Sequence, residues 1–243
     1  MDGELIKRLP IKWGKCTSLA LLSRLPKDDK NGPTVLVGKY QTGHDNMSQI
    51  NRKYENLTDS AFGAIPEGAT SMSAWSQRGI SHMQTADLDG NGTEEVIICR
   101  TGHWNGVTVY DGSTRKCLWG KYFGPWSRRG SYATRFMRTL ALGDLTGDGK
   151  MEVAVGMLNG WVCVFDATGK AVWTRCFDTY PEAMVVHAGA LVIGFSDGTV
   201  RQMDASGKTV RAAKCESPIT ALASRSDGLL VGDASGQVAL LPW

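Results

Sequence analysis

Two short stretches of this chain place oxygen donors where they can wrap a hard cation. Residues 87–95 read DLDGNGTEE and residues 144–152 read DLTGDGKME. Donors at the first, third, fifth and ninth positions, with a backbone carbonyl at the seventh, suit Ca2+, and glycine lets so short a loop curl back on itself. In the first loop the set is Asp87, Asp89, Asn91, the Thr93 carbonyl and Glu95. In the second it is Asp144, Thr146, Asp148, the Lys150 carbonyl and Glu152. The spacing is not that of an EF-hand, whose bidentate Glu stands at position twelve. Two structural Ca2+ sites are expected, the first the stronger, because Thr146 stands where the first loop has a carboxylate.

A second set of residues suits ligand binding. YQTGHDN carries His44 and Asp45, and RTGHWNG carries His103 and Trp104. AWSQRGIS carries Trp75 and Arg78, while GPWSRRGSYATRFMR carries Trp126, Arg128, Arg129, Tyr132 and Arg135. Aromatic, Arg and His side chains on loops of a rigid scaffold are a common recognition set. Aromatic faces stack on sugars, and Arg or His binds hydroxyls or a uronate carboxylate in charge-assisted geometry. The expected partner is therefore a glycan, through a carbohydrate-binding module. Two alternatives compete. In a polysaccharide lyase, His44, His103, Tyr132 and Arg129 would neutralise the uronate and move its protons. A protein–protein interaction scaffold would show a broad apolar patch instead. No Gly-x-Ser-x-Gly elbow occurs and no carboxylate pair stands apart from the metal loops, which argues against nucleophilic hydrolysis.

These loops need elements to hold them, and the elements recur. EVAVGMLNGWVCVFDATGKAVWTRCF from Glu152, LVIGFSDGTVRQMDASGKTVRAAKC from Leu191 and LLVGDASGQVALLPW from Leu229 share one phrase, with looser copies from Thr34 and Glu95. Period-two alternation broken by Asn-Gly, Asp-Gly or Ser-Gly is the hairpin signal. Each copy follows another short strand, such as RTLALGD, giving four strands per unit and hence a propeller blade. Gly38, Cys99, Gly156, Gly194 and Gly232 fall at one strand position, at spacings of 61, 57, 38 and 38 residues. Repeats of roughly 40–50 residues are blade-sized.

The expected fold is all-β: a five-bladed β-propeller forming one domain over residues 1–243. The blades are placed near 16–79, 80–136, 137–180, 181–216 and 217–243. Residues 1–15 would supply the fourth strand of the last blade, closing the ring and hiding an edge. Trp119 and Trp173 are expected to pack between blades. HAGA and RSDG are too short to bind an ion, and Asp28 and Asp29 in LPKDDKNGPT have lost the spacing.

The loops followed by EVIIC and EVAVG resemble the FG-GAP (VCBS-type) repeats of integrin α-chain propellers and related bacterial proteins. The resemblance implies a structural calcium in each loop, on the face opposite the usual ligand site. It also implies an extracellular setting if the chain is a domain of a larger protein. VFDATGKAVW and VYDGSTRKCLW resemble quinoprotein-type blades, but the cofactor residues of those enzymes have no counterpart here.

Composition narrows the rest. A net charge of +3, without a basic run, does not suit nucleic acid. No apolar segment approaches the roughly 18 residues of a membrane span, and residues 1–16 lack an apolar signal core. None of the six cysteines forms a CxxC pair, so zinc and redox readings are weak and buried free thiols are expected.

Overall fold

The computed structural model describes residues 15–26, 33–42, 47–50, 57–59, 77–102, 105–114, 116–123 and 137–243. Among these residues there is no helix. The strands form antiparallel meanders in chain order. The first comprises β1 (Lys15–Leu22), β2 (Thr34–Thr42), β3 (Met47–Ile50) and β4 (Leu57–Asp59). The second comprises β5 (Gln77–Ala86), β6 (Glu95–Gly102), β7 (Gly106–Asp111) and β8 (Cys117–Tyr122). The third comprises β9 (Met137–Gly143), β10 (Glu152–Met157), β11 (Trp161–Phe165) and β12 (Ala171–Cys176). The fourth comprises β13 (Pro181–His187), β14 (Ala190–Phe195), β15 (Thr199–Met203) and β16 (Thr209–Lys214). The last comprises β17 (Ile219–Arg225), β18 (Gly228–Asp233) and β19 (Val238–Leu241). A short β2–β5 ladder at Tyr40–Thr42 joins the first two units into one eight-stranded sheet.

The units stack face to face. First strands lie side by side in the order β1, β5, β9, β13, β17. A separate apolar core fills each junction. Leu22 and Leu36 meet Ile80, Met83, Val96 and Ile98 between the first two units. Ile97, Cys99 and Val109 meet Met137, Val153, Val155 and Phe165 at the next. Ala154, Val164 and Trp173 meet Leu191, Ile193 and Phe195, and Val192 and Val200 meet Ile219, Leu229 and Val231. A sheet covered on both faces has no polar side, so β10 is buried at all six positions.

The glycine register read from the sequence holds. Gly38, Cys99, Gly156, Gly194 and Gly232 each pair with the first strand of their unit, opposite Ser18, His82, Thr139, Ala183 and Ala221. A Cβ on Gly38 would stand 2.9 Å from Ile80 Cγ2, and one on Gly156 2.9 Å from Pro181 Cγ. At these two positions the absent side chain makes room for the next unit's first strand.

The tryptophans lock adjacent units, as expected. Trp119 donates its indole N–H to the Ala167 carbonyl at 2.8 Å and covers Gly169. Trp173 covers Gly207 in the same way, and Arg175 Nε donates to the Gly207 carbonyl at 2.9 Å. Both glycines belong to Asp-x-Thr/Ser-Gly turns. In these turns Asp166 or Asp204 accepts a hydroxyl and two backbone N–H groups. Asp233 builds the same turn in the last unit.

One expectation needs correction. Free thiols are present, but among the described cysteine side chains only Cys99 and Cys163 are buried; Cys117 and Cys215 are half-buried and Cys176 is exposed. Of residues 1–15, expected to close the ring, 1–14 lie outside the described residues, and Lys15 opens β1 opposite Tyr40.

Candidate functional site

Both Asp/Gly loops link the first and second strands of their units, 87–94 between β5 and β6 and 144–151 between β9 and β10. Their backbones match: Gly90 and Gly92 have φ 79° and 87°, Gly147 and Gly149 79° and 84°. This left-handed conformation is open to glycine at little cost. Asp87 accepts the Gly90 and Gly92 amides at 2.9 and 2.8 Å, and Asp144 accepts those of Gly147 and Gly149 at 2.6 and 2.9 Å. Thr93 N–H donates to Asn91 Oδ1 and Lys150 N–H to Asp148 Oδ1. The leucine at the second loop position, Leu88 or Leu145, is buried in the junction core. The Met151 N–H donates to the Leu88 carbonyl at 3.0 Å, tying the first loop to the third unit.

The loops differ at their carboxylates. Asp87, Asp89 and Glu95 bring one oxygen each within 4.8 Å of one another. Glu95 is only 2% exposed and accepts the Leu88 amide at 2.8 Å. Burial pushes its carboxyl up to about 7; the Leu88 amide opposes this, and the Asp89, Asp87 and Asp111 charges add to it. Converging carboxylates around a buried acid are the donor chemistry that a hard cation compensates. In the second loop Glu152 is occupied differently. It takes the Leu145 and Thr146 amides at 2.7 and 3.1 Å and the Thr146 hydroxyl at 3.2 Å. The donor set of the first loop fits Ca2+. In the second loop Thr146 spends its hydroxyl on Glu152, and no comparable carboxylate triad forms among the described residues.

A cleft of about 390 Å3 runs along β11 between the second and third units. Lys121 and Phe123 line one side; Met157, Trp161, Cys163 and Phe165 line the other. Phe165 forms its floor, with ring centroids 5.9 Å from Trp119 and 6.3 Å from Phe123. The Lys121 ammonium stands 6.0 Å from the Phe165 ring centre, close enough for a cation–π contact. Trp161 is exposed at the mouth beside Asn159 of the β10–β11 turn. Glu152 opens β10 at the metal-loop end, where Phe165 of the cleft floor pairs with Val153, and Met157 closes it at Trp161. At about 3.3 Å per residue the two ends stand roughly 17 Å apart.

Of the residues expected to bind ligand, His44, Asp45, Trp75, His103, Trp104, Trp126, Arg128, Arg129, Tyr132 and Arg135 lie outside the described residues. Arg78 lies in β5, paired with Gln41 and Gly102. The cleft itself went unread, because its lining comes from residues spread between Lys121 and Thr174. Two buried polar groups were also missed. The Arg100 guanidinium donates to the Thr108 hydroxyl at 2.8 Å and the Tyr110 hydroxyl at 3.0 Å. An arginine at the end of the apolar run EVIIC was the available signal. His187 Nε2 meets the Trp243 carbonyl at 3.0 Å; a carbonyl only accepts, so Nε2 carries the proton and Nδ1 accepts from Ser224 at 2.9 Å.

No family model and no curated protein matches this chain. Solved structures do match. Sqt1 of Saccharomyces cerevisiae superposes at a TM-score of 0.62 and 18% identity, over 86% of this chain and 55% of its own. The Pan2 WD40 domain of Neurospora crassa superposes at 0.57 and 13% identity, over 95% and 61%. BBS1N, in complex with ARL6DN, superposes at 0.57 and 16% identity, over 93% and 61%. The fold is a β-propeller. The chain spans between half and two thirds of the length of these relatives.

Proposed function

We propose that this propeller is a calcium-braced scaffold that binds a protein partner in the cleft between its second and third units. The observation that carries this reading is the cleft itself: an aromatic floor with a cation beside it and an exposed tryptophan at its mouth. Large aromatic side chains gathered in a pocket are the kind of anchor site that dominates protein interfaces. BBS1N, a structural relative, is known in a protein complex. The likeness to the Pan2 WD40 domain and to BBS1N supports the protein reading ahead of the glycan and lyase readings.

Calcium belongs to this proposal as a brace. Asp87, Asp89 and Glu95 would hold it, with Asn91 and the Thr93 carbonyl completing the set. The ion would neutralise the carboxylates beside buried Glu95 and fix Leu88 in the core beneath the cleft.

The test compares wild type with Trp161→Ala and Lys121→Glu in affinity capture, beside a glycan array. The expected result is a partner protein held by wild type and lost by both variants, whose melting temperatures stay near the parent's. Equal capture by the variants, or selective binding of a glycan, would overturn the reading.

A further inference from the structure

The two Asp/Gly loops belong to one line of hydrogen bonds that crosses from unit to unit. In each loop the eighth residue, Glu94 or Met151, stands between two members of the donor set, the seventh-position carbonyl and the ninth-position glutamate. In each, its backbone N–H leaves the loop and donates to the preceding unit. Glu94 donates to the Arg24 carbonyl at 2.9 Å and Met151 to the Leu88 carbonyl at 3.0 Å. The register makes the two bonds equivalent, because Leu22 ends β1 opposite Thr34 as Ala86 ends β5 opposite Glu95. Arg24 and Leu88 are therefore both the second residue after a first strand.

The first loop adds a side chain to this link. The Glu94 carboxylate reaches back to the segment that follows β1, where Oε2 accepts the Ser23 N–H at 2.7 Å and the Arg24 N–H at 3.0 Å. The Ser23 hydroxyl lies 3.3 Å from the same oxygen and 3.4 Å from Oε1. The Glu94 carbonyl accepts the Gly112 N–H at 3.1 Å, which anchors the residue in its own unit. A Cβ on Gly112 would stand 2.1 Å from that carbonyl and 2.8 Å from Leu22 Cδ1, so the seam leaves no room for a side chain there. On the same seam the Thr85 hydroxyl donates to the Leu21 carbonyl at 2.7 Å. Amides bound to a carboxylate make charge-assisted bonds, among the stronger hydrogen bonds of a protein. Met151, at the same place in the second loop, has no carboxylate to offer.

We infer that Ca2+ in the first loop closes a latch, the Glu94 carboxylate on the Ser23 and Arg24 amides, that holds the first unit on the second. This rests on the calcium brace proposed above and extends it from the loop to the junction. Without a cation, the Asp87, Asp89 and Glu95 carboxylates crowd within 4.8 Å of one another, and their repulsion favours an opened loop. Coordination pins residues 93 and 95, and Glu94 between them is carried to the position from which it reaches Ser23. The ion binds the ordered loop and shifts the population toward it by mass action. Ser23 and Arg24 are exposed, so their amides pass to water once Glu94 lets go. The latch has a direction, its arm on the second unit and its catch on the first. The junction of the fourth and fifth units has a tie that needs no ion, with His187 Nδ1 2.9 Å from Ser224 Oγ.

Hydrogen exchange of the full chain, resolved to the Ser23 and Arg24 amides by mass spectrometry, tests the latch, with calorimetry reporting Ca2+ binding in parallel. In wild type those amides should exchange about tenfold slower in Ca2+ than in chelator, as expected where one charge-assisted bond must open first. The Ser206 and Lys208 amides, held by Asp204 in the fourth unit, should exchange alike in both. Glu94→Ala should still bind Ca2+ yet leave Ser23 and Arg24 fast in either condition. Glu94→Gln, which keeps the shape and drops the charge, should fall between. Asp87→Ala should lose the response together with the binding, and Asp144→Ala should keep it. Calcium binding without slower exchange at Ser23 and Arg24 would overturn the latch and leave the calcium brace standing. Slowing that survives Glu94→Ala, or that appears equally at Ser206 and Lys208, would also overturn the latch. No heat of binding together with unchanged exchange would overturn both.

Discussion

The tryptophan locks predict a contrast between glycines that look alike in sequence. Gly207 and Gly236 occupy the same Asp-x-Ser-Gly turn, with φ 76° and 85°. Alanine at either must adopt the left-handed conformation, at about 1 kcal/mol. Only at Gly207 is the space also taken: its Cβ would stand 2.6 Å from Trp173 Cδ2, while nothing lies within 4 Å of Gly236. Overpacking against a rigid ring held between two sheets adds about 1–3 kcal/mol. Gly207→Ala should therefore cost about 2–4 kcal/mol and Gly236→Ala about 1 kcal/mol, read as midpoint shifts in urea at constant slope. Gly169, 2.7 Å from Trp119 Cδ2, should behave like Gly207. Trp173→Ala should cost about 3–5 kcal/mol. In that background Gly207→Ala should fall to the level of Gly236→Ala, because the obstacle is gone. Equal costs at Gly207 and Gly236 in the parent would refute the lock.

Acid should weaken the same turns. The Ser206 hydroxyl and Lys208 amide hold the Asp204 carboxyl below its usual range, and the Ser235 hydroxyl does so for Asp233 against a small burial effect. A lowered carboxylate stabilises the fold above its unfolded value, near 3.9, and that contribution is lost as pH falls through the folded value. Thermal melts should therefore drop below about pH 4, and Asp204→Asn with Asp233→Asn should flatten the drop. Glu95 has the opposite sign. Its raised value favours the protonated folded form, so metal-free protein should lose stability as pH rises from about 4.5 to about 7. The loss is on the order of 3 kcal/mol, at about 1.4 kcal/mol per tenfold change in proton affinity. Melts in chelator at pH 5.5 and 8 test this, and Ca2+ should remove the difference. Chelation should lower the melting temperature at pH 8 in wild type, barely in Asp87→Ala, and nearly fully in Asp144→Ala. A melt indifferent to chelator would sink the calcium brace.

The parts of this molecule that could be read beforehand are those fixed by neighbours in sequence. A nine-residue loop closes on its own amides, so Asp87, Gly90 and Gly92 announce its shape. The position shared by Gly38, Gly156, Gly194 and Gly232 was visible because each recurs at a set distance from a hairpin turn. Trp119 and Trp173 were visible because they end the same phrase. What escaped depends on contacts between units. The cleft joins Lys121 to Thr174, and His187 reaches Ser224 and Trp243. Alternation shows that Val200 and Val238 face the same way within their sheets. It cannot show that one is covered and the other is not. The thiols were misjudged for the same reason, since Cys163 and Cys176 lie on adjacent strands of one unit and only the first meets the junction core.

The cleft as a protein-binding site is tested most directly by an aromatic photo-crosslinking residue in place of Trp161, which keeps a ring at the anchor position, with an exposed control at Tyr180. In calcium-replete extract, the account predicts a discrete protein adduct from position 161, none from position 180, and loss of the adduct when Lys121→Glu is added. Adducts that form equally at both positions, or that survive Lys121→Glu, would contradict it.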